Sequence, residues 1–146
     1  MKQMPVAPGK PLPEYIMQMP ERAVRKLLGL VPAEEISIVH GPQTGLVMMS
    51  ALDSFEEEFY LGEVLVTEVE VEYAGCRGYG MVVGDDAIRA MARASVEAVG
   101  ASSNRILRER MNRFLNAEAK KLEARRRKED SLIARTRVDF ETMKRT

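Results

Sequence analysis

Residues 67–76 read TEVEVEYAGC, and this stretch decides the fold class. Glu68, Glu70 and Glu72 alternate with apolar residues along it. Strict alternation with a period of two is typical of a β-strand that has one buried face and one face turned away from the core. The three carboxylates therefore share one face, and three interpretations stay open for them: chemistry, a docking surface, or a solvated face.

Turn signals on both sides of this strand extend the sheet. Ala74-Gly75 predicts a hairpin into a last strand, and Gly41-Pro42 predicts a turn between two earlier strands. Gly62 predicts a bulge or bend inside the long central strand. The predicted strands are 36–40, 46–52, 59–73 and 76–84, with a polar loop at 53–58.

Helical patterns occupy the chain before and after the sheet. Two short helices are expected on either side of Pro20, and helices 86–99 and 104–129 have narrow apolar stripes that suit one face of the sheet. Strands followed by helices predict an α+β fold, an antiparallel meander with helices packed on one face and a charged C-terminal helix and tail. The predicted layout is a flexible leader (1–13) and a single domain (14–146) made of short helices (14–31), sheet (35–84), two helices (85–129) and a docking tail (130–146).

The charge of the chain is balanced overall but divided along its length. Lys and Arg number 22, as do Asp and Glu. Residues 1–100 hold 8 basic and 15 acidic residues, whereas residues 101–146 hold 14 basic and 7 acidic ones. The first part has a net charge of −7 and the second +7, a separation that indicates an interaction arm or tail.

Cysteine usage and hydropathy predict a cytoplasmic protein without a membrane segment. Cys76 is the only cysteine, so no disulfide can form within the chain, which favours a reducing compartment. No apolar run reaches the ~18 residues that a membrane span needs. The first residues, MKQMPVAPGKPLP, lack the apolar stretch of a secretory signal.

Groups for catalysis are few in this sequence. His40 is the only histidine, and it has no nucleophile beside it in the sequence. Cys76 has no second cysteine for a metal or redox motif. Asp85 and Asp86 precede a predicted helix, where a carboxylate commonly caps the helix instead of binding a metal. We therefore expect no catalytic, cofactor-binding or metal-binding residue in this chain.

Two C-terminal segments are candidates for binding. The run KKLEARRRKED at 120–130 is consistent with a solvated helix face, a protein-binding face or a polyanion-binding face. It lacks the interleaved aromatic residues that nucleic-acid binding favours, so no nucleic acid is expected. The run TRVDFETM at 136–143 places an aromatic anchor among charged residues, a composition that suits docking. Its candidate docking residues are Arg137, Val138, Asp139, Phe140 and Met143.

Four blocks in order carry a resemblance to a known family. They are TGLVMM at 44–49, FYLGEVLVTEVEV at 59–71, GYGMVVGDD at 78–86 and TRVDFETM at 136–143. Over residues 15–146 the chain resembles the small G subunit (PhnG) of the bacterial carbon–phosphorus lyase core complex. The chain departs from the family pattern at Asp85, where the family has arginine, near Glu68, where it often has a basic residue, and at Glu141, where it has phenylalanine.

The resemblance implies a function in phosphonate breakdown. Its implied partners are the H, I and J subunits of the core complex, with the L subunit for the transferase step. Together with the H, I and L subunits, the G subunit is implied in transferring the ribose triphosphate of ATP to a phosphonate, with release of adenine. ATP and the phosphonate are substrates of the assembled complex, and the resemblance carries over no catalytic residue or cofactor.

Our first hypothesis is therefore an essential, non-catalytic subunit of this transferase. It would dock through the face of Glu68, Glu70 and Glu72 and through the C-terminal tail. The alternative is a stand-alone protein that binds nucleic acid or another polyanion through its basic helix. A third hypothesis is a self-sufficient hydrolase that uses His40 and the glutamates.

Overall fold

The structure is a computed structural model that describes residues 12–136. The α+β fold predicted from the sequence is confirmed, because a three-stranded antiparallel sheet is combined with helices. A 3-10 helix at Leu12–Met17 and helix α1 precede the sheet, and helices α2 and α3 follow it. The elements are α1 (Glu21–Leu28), β1 (Ile36–Leu52), β2 (Glu58–Tyr73), β3 (Cys76–Val83), α2 (Ala87–Ala101) and α3 (Arg105–Arg135).

Within residues 12–136 the sheet has three strands in the order β1-β2-β3, so the prediction of four strands between residues 36 and 84 is wrong. The Gly41-Pro42 segment lies inside the 17-residue β1, where shifts of register on either side of His40 accommodate extra residues. β1 is an edge strand, and edge strands and bulges tolerate a proline that lacks an N–H donor. Gly41 has a φ of +78°, a conformation that glycine adopts readily. The segment therefore bends the strand and does not end it.

The bulge expected at Gly62 is present in β2. Gly62 pairs with Met49, whereas the next residue of β1, Ser50, pairs with Tyr60. Leu61 is therefore the extra residue of the bulge, and Gly62 beside it has a φ of +128°. Such a bulge increases the local twist of an antiparallel pair.

Among the described elements, one helix covers the sheet. α2 packs on β2 and β3, whereas α3, which we had expected on the sheet, packs against the 3-10 helix, α1 and α2. The core between these layers is apolar and contains Val69 and Val71 from the sheet, Val99 from α2, and Met111 and Leu115 from α3. The alternating residues Glu68, Glu70 and Glu72 lie on the opposite face, as the sequence pattern predicts.

The two glycines of β3 bring α2 close to the sheet. Gly78 and Gly80 face Ala90, Ala94 and Ala98, which recur every four residues along α2. A Cβ atom added at either glycine would overlap backbone atoms of α2. The two glycines of the block GYG therefore pack against the alanine stripe of α2. This contact sets the distance between α2 and the sheet.

The junction of β3 and α2 is held by polar contacts. Asp86 is the N-cap of α2, and its carboxylate accepts hydrogen bonds from the backbone N–H (3.0 Å) and Nε (2.9 Å) of Arg89. The Arg89 side chain is 15% exposed, and its guanidinium also donates to the carbonyls of Ile16 and Met19. Thr67 Oγ1 accepts from the Asp86 N–H and donates to the Gly84 carbonyl. These contacts tie the sheet, α2 and the segment before α1 together.

The charge of Asp86 is expected to make stability depend on acid pH. Partial burial alone would raise the pKa of the Asp86 carboxyl, but the backbone N–H and guanidinium of Arg89 outweigh burial and hold that pKa below its usual range. A lowered native pKa adds stability above the unfolded-state pKa of ~3.9, and this stability is lost as the pH falls through the native pKa. Asp86→Asn should keep the cap but lower the free energy of unfolding by about 1 kcal/mol at pH 7, because the Asp86 side chain is 37% exposed and solvent screens its ion pair.

Urea denaturation across pH 2–7 measures this effect. The difference in the free energy of unfolding between the parent chain and Asp86→Asn should shrink toward pH 2. At that pH the parent carboxyl is protonated, so both side chains are neutral. Asp85→Asn is the matched control, since Asp85 is exposed and has no hydrogen bond or ion pair within residues 12–136. A difference that stays constant with pH, or equal effects of the two variants, would contradict the assignment.

Candidate docking surface

The distal half of the β1–β2 hairpin extends beyond the rest of the sheet. β3 pairs with β2 only between Val66 and Tyr73, so no third strand of the described chain lies beside residues 44–65. We call residues 44–65 the hairpin arm. No residue of the hairpin arm is buried, whereas in the proximal part of β2 buried residues alternate with partly exposed ones. The hairpin arm therefore contributes nothing to the core of the described chain.

Both faces of the hairpin arm are apolar. Directly opposed residues of antiparallel strands share a face, so Leu46 and Leu65 lie on one face and Val47 and Val64 lie on the other. Ten large apolar side chains of the hairpin arm are exposed, from Val47 at 39% to Phe55 at 83%. They are Leu46, Val47, Met48, Met49, Leu52, Phe55, Phe59, Tyr60, Leu61 and Leu65. A two-stranded ribbon of this kind is marginally stable in water unless another surface covers it.

The exposed apolar area is large enough for a specific protein interface. Ten side chains, each more than a third exposed, offer roughly 500–1,000 Å² if a fully exposed side chain presents ~150–250 Å² when aromatic and ~60–120 Å² when aliphatic. A standard protein interface takes ~800 Å² from each partner. Burial of the hairpin arm alone would thus supply one side of a stable interface.

The polar residues of the hairpin arm are all neutral or acidic. It contains five carboxylates and no Lys, Arg or His, so its net charge is −5. Four of these carboxylates lie at or beside the tip: Asp53, Glu56, Glu57 and Glu58. The Asp53 carboxylate accepts from the backbone N–H groups of Phe55 (2.8 Å) and Glu57 (3.0 Å), which orders the turn. The tip is therefore a fixed acidic end of an apolar ribbon.

The predicted carboxylate row lies on the sheet face opposite α2, but its members bind side chains of the sheet itself. Glu68 accepts from Tyr79 Oη (2.6 Å) and Gln43 Nε2 (2.8 Å). Glu70 forms an ion pair with Arg77 (3.0 Å), and the same guanidinium lies 3.8 Å from Glu72. The hydrogen bond from Tyr79, then that from Gln43, lowers the pKa of Glu68. The row is a hydrogen-bonded network in which one guanidinium offsets only part of the negative charge, and its use in docking stays a prediction.

The remaining candidates for chemistry do not converge in the described chain. His40 is exposed on β1, in register with Glu70, and Cys76 lies at the start of β3, where its thiol is directed at the Ala101 carbonyl (3.3 Å). Among residues 12–136 no group of three His, Cys, Asp or Glu side chains could hold a metal ion. Each helix within these residues is too short or too polar to span a bilayer.

The two C-terminal candidates differ in what the structure describes. The basic run 120–130 lies on α3, which continues to Arg135 and so extends beyond the predicted end at 129. The predicted tail residues Arg137, Val138, Asp139, Phe140 and Met143 lie outside the described residues, so their role in docking stays a prediction.

Sequence reasoning did not identify the hairpin arm as a surface. It assigned 46–52 to an ordinary strand and 53–58 to a polar loop, although the loop contains Phe55. A usable signal was present: LVMMSAL and FYLGEVL have apolar residues at consecutive positions, which supplies both faces of a strand. That pattern is typical of a strand covered on two sides, yet the described chain covers neither side.

Comparisons with known proteins agree on one family. A family model described as "Phosphonate metabolism protein PhnG" matches residues 11–146. The chain is also similar to a protein of Rhizobium meliloti (strain 1021), named alpha-D-ribose 1-methylphosphonate 5-triphosphate synthase subunit PhnG. The two are 34% identical over 113 residues, which cover 76% of this chain and 71% of that protein.

Proposed function

The chain belongs to the PhnG family of phosphonate metabolism proteins, and we propose that it is a docking subunit of an alpha-D-ribose 1-methylphosphonate 5-triphosphate synthase. Its relative is named a subunit of that synthase, so other chains are part of the proposal. The observation that carries the docking role is the hairpin arm, an apolar ribbon uncovered on both faces within residues 12–136.

The occupant of the hairpin arm is a different chain of the synthase with an apolar cleft rimmed by basic residues. A cleft is needed because the two faces of the ribbon are both apolar, and a flat surface would cover only one. Basic residues are needed because the hairpin arm has a net charge of −5. A second copy of this chain would bring an equally acidic arm to the contact, and like charges that face each other oppose association.

The other predicted surfaces have supporting roles in this proposal. The tail residues Val138, Phe140 and Met143 would add a second anchor, and the face of Glu68, Glu70 and Glu72 would border the interface. ATP and the phosphonate are substrates of the assembly, which transfers ribose triphosphate to the phosphonate with release of adenine. The partners proposed from the resemblance are the H, I and L subunits, with the J subunit in the larger core complex, and the assembly works in the cytoplasm.

Reconstitution with the H, I and L subunits of the same organism tests this function. We expect the chain to co-elute with them in one complex by size exclusion with light scattering. The complete set should release adenine from ATP and methylphosphonate, and omission of this chain should reduce the rate at least ~100-fold. An active complex of the other three subunits, with this chain eluting alone, would contradict the proposal.

A further inference from the structure

A basic groove lies between α1 and α3, on the side of the molecule formed by helices. Its volume is about 170 Å³. Two cationic side chains come from α1 and two from α3, and we call the cluster of Arg22, Lys26, Lys121 and Arg125 the basic groove. Within each helix the pair is spaced four residues apart, so both side chains lie on the same face of their helix. The two pairs therefore border one small space.

Most of the charge in the basic groove is unused by the described chain. Arg22, Lys26 and Arg125 are exposed and have no hydrogen bond or ion pair within residues 12–136. Lys121 donates to Glu118 (3.1 Å), whose side chain is 12% exposed in the groove wall. The lining thus has a net charge of +3, and Glu118 holds Lys121 in place. Four cations around so small a volume repel one another, and a bound anion would relieve that repulsion.

We propose that the basic groove binds an oligophosphate, such as the triphosphate chain of a nucleotide. Phosphate groups in a row match cations that approach from two sides, and arginine binds phosphate oxygens in a bidentate geometry. The apolar part of the lining, Pro20, Ala23 and Leu122, contains no aromatic ring on which a base could stack. Recognition is therefore of the phosphate chain, not of the base.

This inference rests on the proposed function for its choice of anion. The relative is named for a product with a 5-triphosphate group, and the proposed substrate is ATP. In the synthase, the basic groove would hold the triphosphate while chemistry proceeds at the ribose carbon that bears the base. An acidic protein segment is the competing occupant, and the titration below includes a glutamate-rich peptide to distinguish the two.

Calorimetric titration of the isolated chain at low salt tests the basic groove directly. The ligands are tripolyphosphate, ATP, adenosine and a glutamate-rich peptide. The groove variant is Arg22→Gln combined with Arg125→Gln, and the control is Arg113→Gln combined with Lys128→Gln. The control removes the same charge from exposed positions of α3 that do not line the groove.

We expect tripolyphosphate to bind, adenosine not to bind, and the groove variant to lose at least ~10-fold in affinity. The control variant should stay within about twofold of the parent. Equal affinities for ATP and tripolyphosphate would show that the phosphate chain alone is sufficient for binding. Tighter binding of ATP would show that the nucleotide is the preferred ligand. Both results support an oligophosphate site.

Three results would overturn the inference. They are no binding of either phosphate ligand at ~1 mM, an equal loss in the control variant, and tighter binding of the glutamate-rich peptide than of tripolyphosphate. Equal loss would mean that the +7 charge of residues 101–146 attracts anions without a site. The titration needs no partner chain, and the groove variant retains the hairpin arm. A failure here is thus distinguishable from a failure of assembly.

Discussion

Replacing both Leu46 and Met48 by serine is expected to abolish co-elution of this chain with the other synthase subunits. These side chains are 63% and 65% exposed on the hairpin arm and make no contribution to the core. Truncation of a buried apolar anchor in an interface costs ~2 kcal/mol or more. Two such losses weaken the complex by about three orders of magnitude, so the variant should elute alone at micromolar concentration.

The matched control for this variant replaces two equally exposed apolar residues outside the hairpin arm. Ile38→Ser combined with Ile106→Ser removes side chains that are 54% and 71% exposed. This control should co-elute as the parent does, and thermal unfolding should show that both variants are folded. Co-elution of the folded hairpin-arm variant at parental affinity would show that the hairpin arm is not part of the interface.

Gly80→Ala is expected to lower the free energy of unfolding by about 1–3 kcal/mol. The added Cβ would overlap the Ala90 carbonyl and lie 2.7 Å from the Ala94 nitrogen. These are backbone atoms of α2, so no side-chain rotation relieves the overlap, and the helix must move away from the sheet. Movement of α2 would also open the contacts of Val99 with the core.

Gly45→Ala is the control for this change. Gly45 lies on the exposed edge strand, and a Cβ added there meets no atom within 4 Å. Its substitution should change the free energy of unfolding by no more than about 0.5 kcal/mol. Urea denaturation of both variants measures the difference. Equal stability of Gly80→Ala and Gly45→Ala would show that α2 is not held against β3 by the glycines.

The regular features of the fold could be predicted because each is encoded over a few neighbouring residues. The alternation around Glu68 gave the correct faces of β2, and the expectation that a carboxylate before α2 caps that helix is met by Asp86. The predicted turn at Gly41-Pro42 failed because a turn and an edge-strand bulge have the same local sequence. Pairing with β2, which is set by distant residues, decides between them.

The candidate sites were harder to predict, since each depends on what is absent nearby or on contacts between distant residues. The apolar residues of the hairpin arm are exposed because no element within residues 12–136 packs on either face of the ribbon, and β3 ends at Val83 beside its base. The cations of the basic groove come from residues about 100 positions apart and meet only when α3 packs back on the N-terminal segment. The charge separation along the chain can be read from the sequence. That much of the negative charge lies on an uncovered ribbon, the hairpin arm, can be read only from the structure.

Amide hydrogen exchange of residues 44–65, with and without the H, I and L subunits, tests the central claim most directly. In the isolated chain we expect fast exchange there, because the ribbon has no third strand and no buried residue. In the complex, exchange of the same amides should slow by at least ~100-fold, while amides of α2 change little. A complex that forms with exchange in 44–65 unchanged would contradict the account.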